Sequence, residues 1–262
     1  AAMHWTPPML PHAEGPIGGA HGVGCVGGGD DVGRPGGVVG VVLAAGAGRR
    51  MGGPKALVRS VADGPALVES AIAAVREGGC PEVICVVGAA AERVVPLALA
   101  AGARVVVAQD WAEGMGASVR AALAALAESR AAALLLTLVD LPDVTPAVIA
   151  RVLGVVDVQQ GKSPLADPVR PTAVLARAAY RGRPGHPVLI GRDHWVAVRT
   201  AARGDEGARS ILRGPGVRLV ECGDLATGRD VDRPEDLGRR GGIAGPDGIP
   251  GLDGIPGGGG AR

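Results

Sequence analysis

Phenylalanine is absent from this 262-residue chain, tyrosine occurs once and tryptophan three times. The hydrophobic fraction is still 47%, enough for a sizeable core, which must be built from Ala, Val, Leu and Ile. Cysteine is scarce too. Cys25, Cys80, Cys85 and Cys222 include no CxxC pair, so nothing points to a zinc or dithiol site. Cys85 lies in an apolar strand pattern and reads as a small core residue. No run approaches the roughly 18 apolar residues that a membrane helix needs. No basic segment followed by an apolar stretch opens the chain, so a secretory signal is not expected and a reducing cytoplasm is the default. Net charge is only +1, which provides no field for nucleic acid or an anionic membrane. The arginines from Arg199 to Arg218 are spread among Asp and Glu and read as a solvated face. Lysine is the rarest cation. Of 27 basic residues only Lys55 and Lys162 are lysines.

Residues 1–37 are rich in Gly, Pro and His without apolar periodicity and are expected to be disordered. Residues 242–262 carry Gly at every third position, a collagen-like period, but seven triplets are few, and a flexible tail is expected. Between them, one domain is expected over 38–241. Short apolar runs at 38–44, 82–87, 103–108 and 132–139 read as buried parallel strands. Ala-rich stretches at 66–78, 89–101 and 116–129 read as helices, and another should start at Pro146 with Thr145 as N-cap. Segments 172–179 and 187–190, joined by Arg181–Gly185, read as a hairpin-type insertion. Helices at 193–202 and 206–213, a strand at 217–221 and a helix from Arg233 complete the pattern. The expected architecture is a three-layer α/β domain with a mostly parallel sheet, its ligands at the carboxyl ends of the strands.

The run from Val41 to Lys55, VVLAAGAGRRMGGPK, is an apolar strand emptying into a glycine-rich loop with Arg49, Arg50 and Lys55. Glycines let backbone N–H groups approach an anion, and the cations neutralise a polyphosphate. The loop is not a dinucleotide fingerprint, because Met51 stands where a third glycine belongs and the second strand ends Val87-Gly88-Ala89 without an acid. Nor is it a Walker A loop, because Ala56 follows Lys55 and no hydroxyl is offered to magnesium. Asp140 ends a buried strand, where a carboxylate suits a divalent cation held with substrate phosphates. Its alternative, capping, is available to Asp143 or Thr145. Asp232 with Glu235 fits a capping box, yet Asp230 and Asp232 alternate as residues on one strand face do, and the residues alone leave capping and metal binding open. Trp111–Ser118 runs a glycine-containing loop into a helix, suited to a base edge, a phosphate or a plain helix entry. His186 reads equally as a substrate contact or a turn histidine, and Met51 and Met115 read as packing residues. No Ser/His/Asp or Cys/His arrangement suggests a protein nucleophile.

With these residues in view, the chain resembles nucleotidyltransferases of the molybdenum cofactor cytidylyltransferase type. LAAGAGRRMGGPKAL, WAEGMGASVRAAL, VDLPDVTP, RPGHPVLI, GDEGARSIL and DVDRPEDL follow in that family's order across about 38–240. The resemblance implies a Rossmann-like nucleotide-diphospho-sugar transferase fold. It implies Arg50 and Lys55 on the triphosphate, with Leu43, Ala44, Ala45, Gly46, Gly48, Gly114 and Ser118 around the nucleotide, and Asp140 and Asp232 on Mg²⁺. It puts His186 and Asp205 on the acceptor side. LAAG rather than LAGG leans toward CTP over GTP. The acceptor implied is molybdopterin, with a molybdoenzyme or its chaperone as further partner. Two alternatives stay open: a sugar or alcohol phosphate as acceptor, or a non-catalytic nucleotide-binding module that delivers a cofactor.

Overall fold

The computed structural model describes residues 25–26, 37–59, 63–156, 170–233 and 236. They form a single sheet with helices on both faces, in the strand order β1-β4-β3-β2-β5-β7-β6-β8. The strands are β1 (Cys25–Val26), β2 (Val38–Ala44), β3 (Val83–Val87), β4 (Arg104–Val107), β5 (Ala133–Leu138), β6 (Leu175–Tyr180), β7 (Arg183–Gly191) and β8 (Arg218–Glu221). The α-helices are α1 (Leu67–Glu77), α2 (Ala91–Ala100), α3 (Met115–Ala125), α4 (Pro146–Leu153) and α5 (Trp195–Ala201). The central block β4-β3-β2-β5 is parallel, β7 runs against both β5 and β6, and β8 lies parallel to β6. The expected α/β architecture with a mostly parallel sheet is what forms.

Period two explains the three layers. Along β2, Val42 and Ala44 turn to one core, and Val39, Val41 and Leu43 to the other. In β3, Val83, Cys85 and Val87 face the first core and Ile84 and Val86 the second. A strand covered on both faces has no polar position left, hence the unbroken apolar runs. Aliphatic and alanine side chains fill both cores almost alone. The first contains α1, α2 and α4 residues such as Ile72, Val94 and Ile149; the second contains Val119 of α3 and Trp195 of α5.

Some local expectations change. Cys25–Val26, inside the segment expected to lack structure, pairs antiparallel with β4. The rest of 1–36, the tail at 242–262 and the body of the helix expected from Arg233 lie outside the described residues. The 206–213 segment is a run of turns ending in a 3-10 turn at Ile211–Arg213, not an α-helix. The β6–β7 connection is shorter than expected. Arg181 and Gly182 alone form the turn, with φ of 55° and 77°. Two consecutive positive φ values match the twist of a two-residue hairpin, which draws 183–185 into the strand. Thr145 does hold the N-cap position of α4, but its hydroxyl makes no capping bond. Asp143 is occupied elsewhere, its Oδ2 accepting from the Thr227 amide at 2.7 Å. Among the described residues no helix is long and apolar enough to cross a membrane.

The chain leaves β2 for β3 and β4 on one side and returns to β5 on the other. The carboxyl ends of β2 and β5 therefore flank the point where strand order reverses, where such sheets open a crevice.

Candidate active site

After β2 the chain coils tightly. Gly48 adopts φ 59°, ψ 38°. Its carbonyl accepts from the Met51 amide at 2.8 Å and the Gly53 amide at 3.2 Å. A Cβ on Gly48 would collide with the Gly53 carbonyl oxygen, so only glycine closes this coil. Arg49 and Arg50 ride on one 3-10 turn, and Lys55 opens the next at Lys55–Leu57. Gly48→Ala is expected to weaken nucleotide binding by at least about tenfold, since the left-handed conformation alone costs an L-residue roughly 1–2 kcal/mol. A nucleotide titration beside a thermal melt checks this; unchanged affinity would mean that the coil does not shape the site.

Lys55 projects from the coil to the end of β5. Its Nζ donates to Asp140 Oδ2 at 2.7 Å and to Asp232 Oδ1 at 2.6 Å. Arg50 Nη1 donates to the other Asp232 oxygen at 2.7 Å. The 230–232 segment is fixed there by one backbone bond, the Val231 amide donating to the Asp140 carbonyl at 2.9 Å. Val231 itself is buried. Asp230 and Asp232, flanking it, join Asp140 so that one oxygen from each of the three lies within 4.8 Å of the others. Burial pulls the Lys55 pKa down, but the hydrogen bonds and charges of Asp140 and Asp232 outweigh it and hold the ammonium above the usual lysine range. The bond from Lys55 holds Asp232 below the usual carboxylate range against a smaller opposing effect of burial.

The carboxylates fit a hard divalent cation on two grounds. Three carboxylate oxygens converge, as oxygen-ligated cations require. Asp140 Oδ1 is buried with no hydrogen-bond donor, a costly state that a cation would relieve. The capping alternative for Asp232 loses ground. Asp236 Oδ2, not Asp232, accepts from nearby amides, those of Asp232 at 3.2 Å and Arg233 at 2.9 Å. The Asp232 carboxylate faces Lys55 and Arg50. Asp230 is the ligand candidate that the resemblance did not supply. Its alternation with Asp232 was the available signal.

These groups form one end of a cleft of about 520 Å³. Leu43, Ala45, Gly46, Gly48, Arg50, Lys55, Gly114 and Ser118 line it, so the structure brings these residues of the resemblance into one cleft. Ala44 does not, because the strand alternation turns it into the opposite core at 1% exposure. Trp111, at the start of the Trp111–Ser118 segment, adds a wall, closely packed on Gly88, where a Cβ would meet the Trp111 Cβ at 2.5 Å. Gly114, at φ 122°, lets the Gly204 backbone and the Asp205 side chain approach, and a Cβ there would meet Asp205 Oδ1 at 2.5 Å. Glu113 and Arg120 tie the two loops together: Arg120 Nη1 donates to Glu113 Oε1 at 2.9 Å and to the Ala202 carbonyl at 2.8 Å. Asp205 thereby lines the same cleft as Lys55 and Asp140. His186 lies apart from it, lining a second cavity of about 290 Å³. Burial, and next Arg177 and Arg209, push its pKa down to about 4, so it is neutral near pH 7. Met115 packs against the second core as expected, and with Leu138 it also lines both spaces.

The chain is 38% identical over 212 residues to the nicotine blue oxidoreductase of Paenarthrobacter nicotinovorans, a match covering 77% of this chain and 95% of that protein. The crystal structure of Rv0371c from Mycobacterium tuberculosis H37Rv matches with a TM-score of 0.58 and 28% identity, covering 79% of this chain and 98% of that one. A manganese complex of the same protein matches with a TM-score of 0.55 at 28% identity, covering 78% and 96%. Molybdopterin-guanine dinucleotide biosynthesis protein A from Archaeoglobus fulgidus has a TM-score of 0.50 at 18% identity over 77% of this chain and 95% of that one, a likeness of fold. The MobA-like NTP transferase domain profile matches residues 40–222, which hold the glycine coil, Lys55 and Asp140. With a switch-point cleft built from those same residues, the chain belongs to the MobA-like NTP transferase family.

Proposed function

We propose that the chain transfers CMP from CTP to a phosphorylated acceptor, molybdopterin, releasing pyrophosphate and using Mg²⁺. The observation that carries this reading is Lys55 bridging Asp140 and Asp232 beneath a glycine coil. Asp140, Asp230 and Asp232 would hold the divalent cation, which when bound neutralises charge on phosphate oxygens. The coil backbone and Arg50 receive the triphosphate, and Lys55 stabilises charge as it moves from the α-phosphate to the leaving group. An oxygen of the acceptor phosphate attacks the α-phosphorus. That P–O bond forms as the α–β bridging P–O bond breaks, and pyrophosphate leaves with the bonding pair. The attacking oxygen is already ionised, so no protein base is needed, and positioning supplies most of the rate. The LAAG segment favours CTP over GTP, and the product passes to a molybdoenzyme or its chaperone.

Pyrophosphate release measured with each NTP, with and without molybdopterin, tests the reading. Release only with CTP plus molybdopterin is expected. Release with a sugar or alcohol phosphate instead would change the acceptor, and binding without release under every condition would make the chain a carrier module.

The nicotine blue oxidoreductase likeness favours a second reading, an oxidation–reduction reaction in the same cleft, for which a nicotinamide dinucleotide would be one electron carrier. The residues supply less for it. Met51 fills the third-glycine position, and β3 ends without an acid for a ribose. Dye-dependent NADH or NADPH oxidation, in place of pyrophosphate release, would establish it.

A further inference from the structure

The second cavity, of about 290 Å³, adjoins the nucleotide cleft, and Asp230 of the carboxylate cluster lines it. A break in the β6–β7 ladder builds its base. Arg177 pairs with Val188 and Ala179 with Pro184, so three residues, Gly185, His186 and Pro187, stand opposite Ala178 alone. Such bulges re-aim side chains beside functional sites. Two carbonyls released from the ladder are taken by side chains. Arg177 donates to the Gly185 carbonyl from Nε at 3.2 Å and Nη2 at 3.1 Å, and Tyr180 Oη donates to that of His186 at 2.6 Å.

Arg177 is half-buried, and among the described residues no carboxylate lies within 4.0 Å of its guanidinium. Its neighbours are cations. Burial, then the charges of Arg209 and Arg213, hold its pKa below the usual arginine range. Arg209, which the sequence pattern assigns to a solvated face, lines the cavity with it. The acidic lining residues, Glu206 and Asp230, are both exposed. A half-buried guanidinium with like-charged neighbours and no counter-ion is unfavourable until an anion arrives. The remaining walls are apolar, among them Val119, Leu136, Leu141, Val188 and Leu212.

We propose that this cavity is the acceptor's phosphate subsite, with Arg177 and Arg209 as its anion ligands and the apolar wall receiving the ring or chain that the phosphate is carried on. The proposal rests on the nucleotidyl-transfer reading for the fate of the phosphate, but the binding event stands alone. The acceptor class is a phosphate monoester with a compact, partly apolar body. Arg177 and Arg209 set specificity by requiring that phosphate beside the carboxylate cluster.

Phenyl phosphate serves as the probe, titrated calorimetrically into the full chain and compared with phenol and inorganic phosphate. Phenyl phosphate should bind more tightly than either. Arg177→Gln should weaken it by at least about tenfold, the scale of a lost charge-assisted hydrogen bond, while changing affinity for CTP with Mg²⁺ less than twofold. Arg209→Gln, on an exposed turn, should weaken it in the same sense and guards against a misfolded Arg177 variant, which a thermal melt would reveal. Wild-type protein that prefers phenol, or variants that bind phenyl phosphate as wild type does, would overturn the subsite. Equal loss of CTP and phenyl phosphate affinity would also overturn it, by making the arginines part of the nucleotide site. If no NTP yields pyrophosphate, the transfer reading fails, and the phenyl phosphate titration still decides the subsite.

Discussion

Lys55→Ala is expected to lower turnover by at least about a hundredfold, the usual scale for one lost transition-state charge contact. Lys55 Nζ lies within 2.7 Å of both Asp140 and Asp232, so its removal leaves two carboxylates facing each other without their shared cation. Two effects then oppose each other. The triphosphate loses a positive contact, while a divalent cation gains ligands that no longer compete for an ammonium. The variant should therefore bind metal at least as well as wild type and still turn over slowly. Without metal, Asp232 should titrate higher, because the hydrogen bond that depresses its pKa is gone. Lys55→Arg is expected to recover part of the activity, since it restores charge but as a planar fork instead of a compact ammonium. Pyrophosphate release, with the metal titrated separately, measures all of this. Near wild-type turnover in folded Lys55→Ala protein would remove Lys55 from the machinery.

Asp140→Asn should abolish metal-dependent activity and leave the fold standing. The substitution keeps the shape and removes the charge. Asp140 Oδ2 accepts from Lys55, and Oδ1 is buried without a donor. The asparagine can give its oxygen to Lys55, which puts its amide in that buried position with no acceptor there. The cost is that of one unsatisfied buried polar group, about 1–3 kcal/mol, felt as a lowered melting temperature. Activity should respond differently, because a divalent cation there would lose the least exposed of its three carboxylates. A magnesium and manganese titration of activity beside a melt separates the two effects. Full activity with unchanged metal dependence would make Asp140 structural.

Much of this site can be read along the chain. Period-two burial in β2 and β3 needs only that both faces be covered, and Val39 to Ala44 already carry that information. The glycine coil is equally local, because Gly48 closes onto Gly53 within six residues. Asp140 announces itself as the first charge after a buried apolar run. Tertiary structure decided what depended on distant segments meeting. Asp230 became a ligand candidate because the Val231 amide pairs with the Asp140 carbonyl, an approach that no local period encodes. Asp205 joined the cleft because Gly114 and Gly116 admit the 202–204 backbone. The 206–213 stretch has helical composition but forms turns, and Arg209 thereby lines a cavity beside Arg177. Local propensity fixes which face of a strand is apolar and where a loop must bend. Which segments meet at the end of the sheet is set by strand order and by the few backbone bonds between them, so the meeting of Asp230 with Asp140, and of Arg177 with Arg209, is decided only in the folded chain.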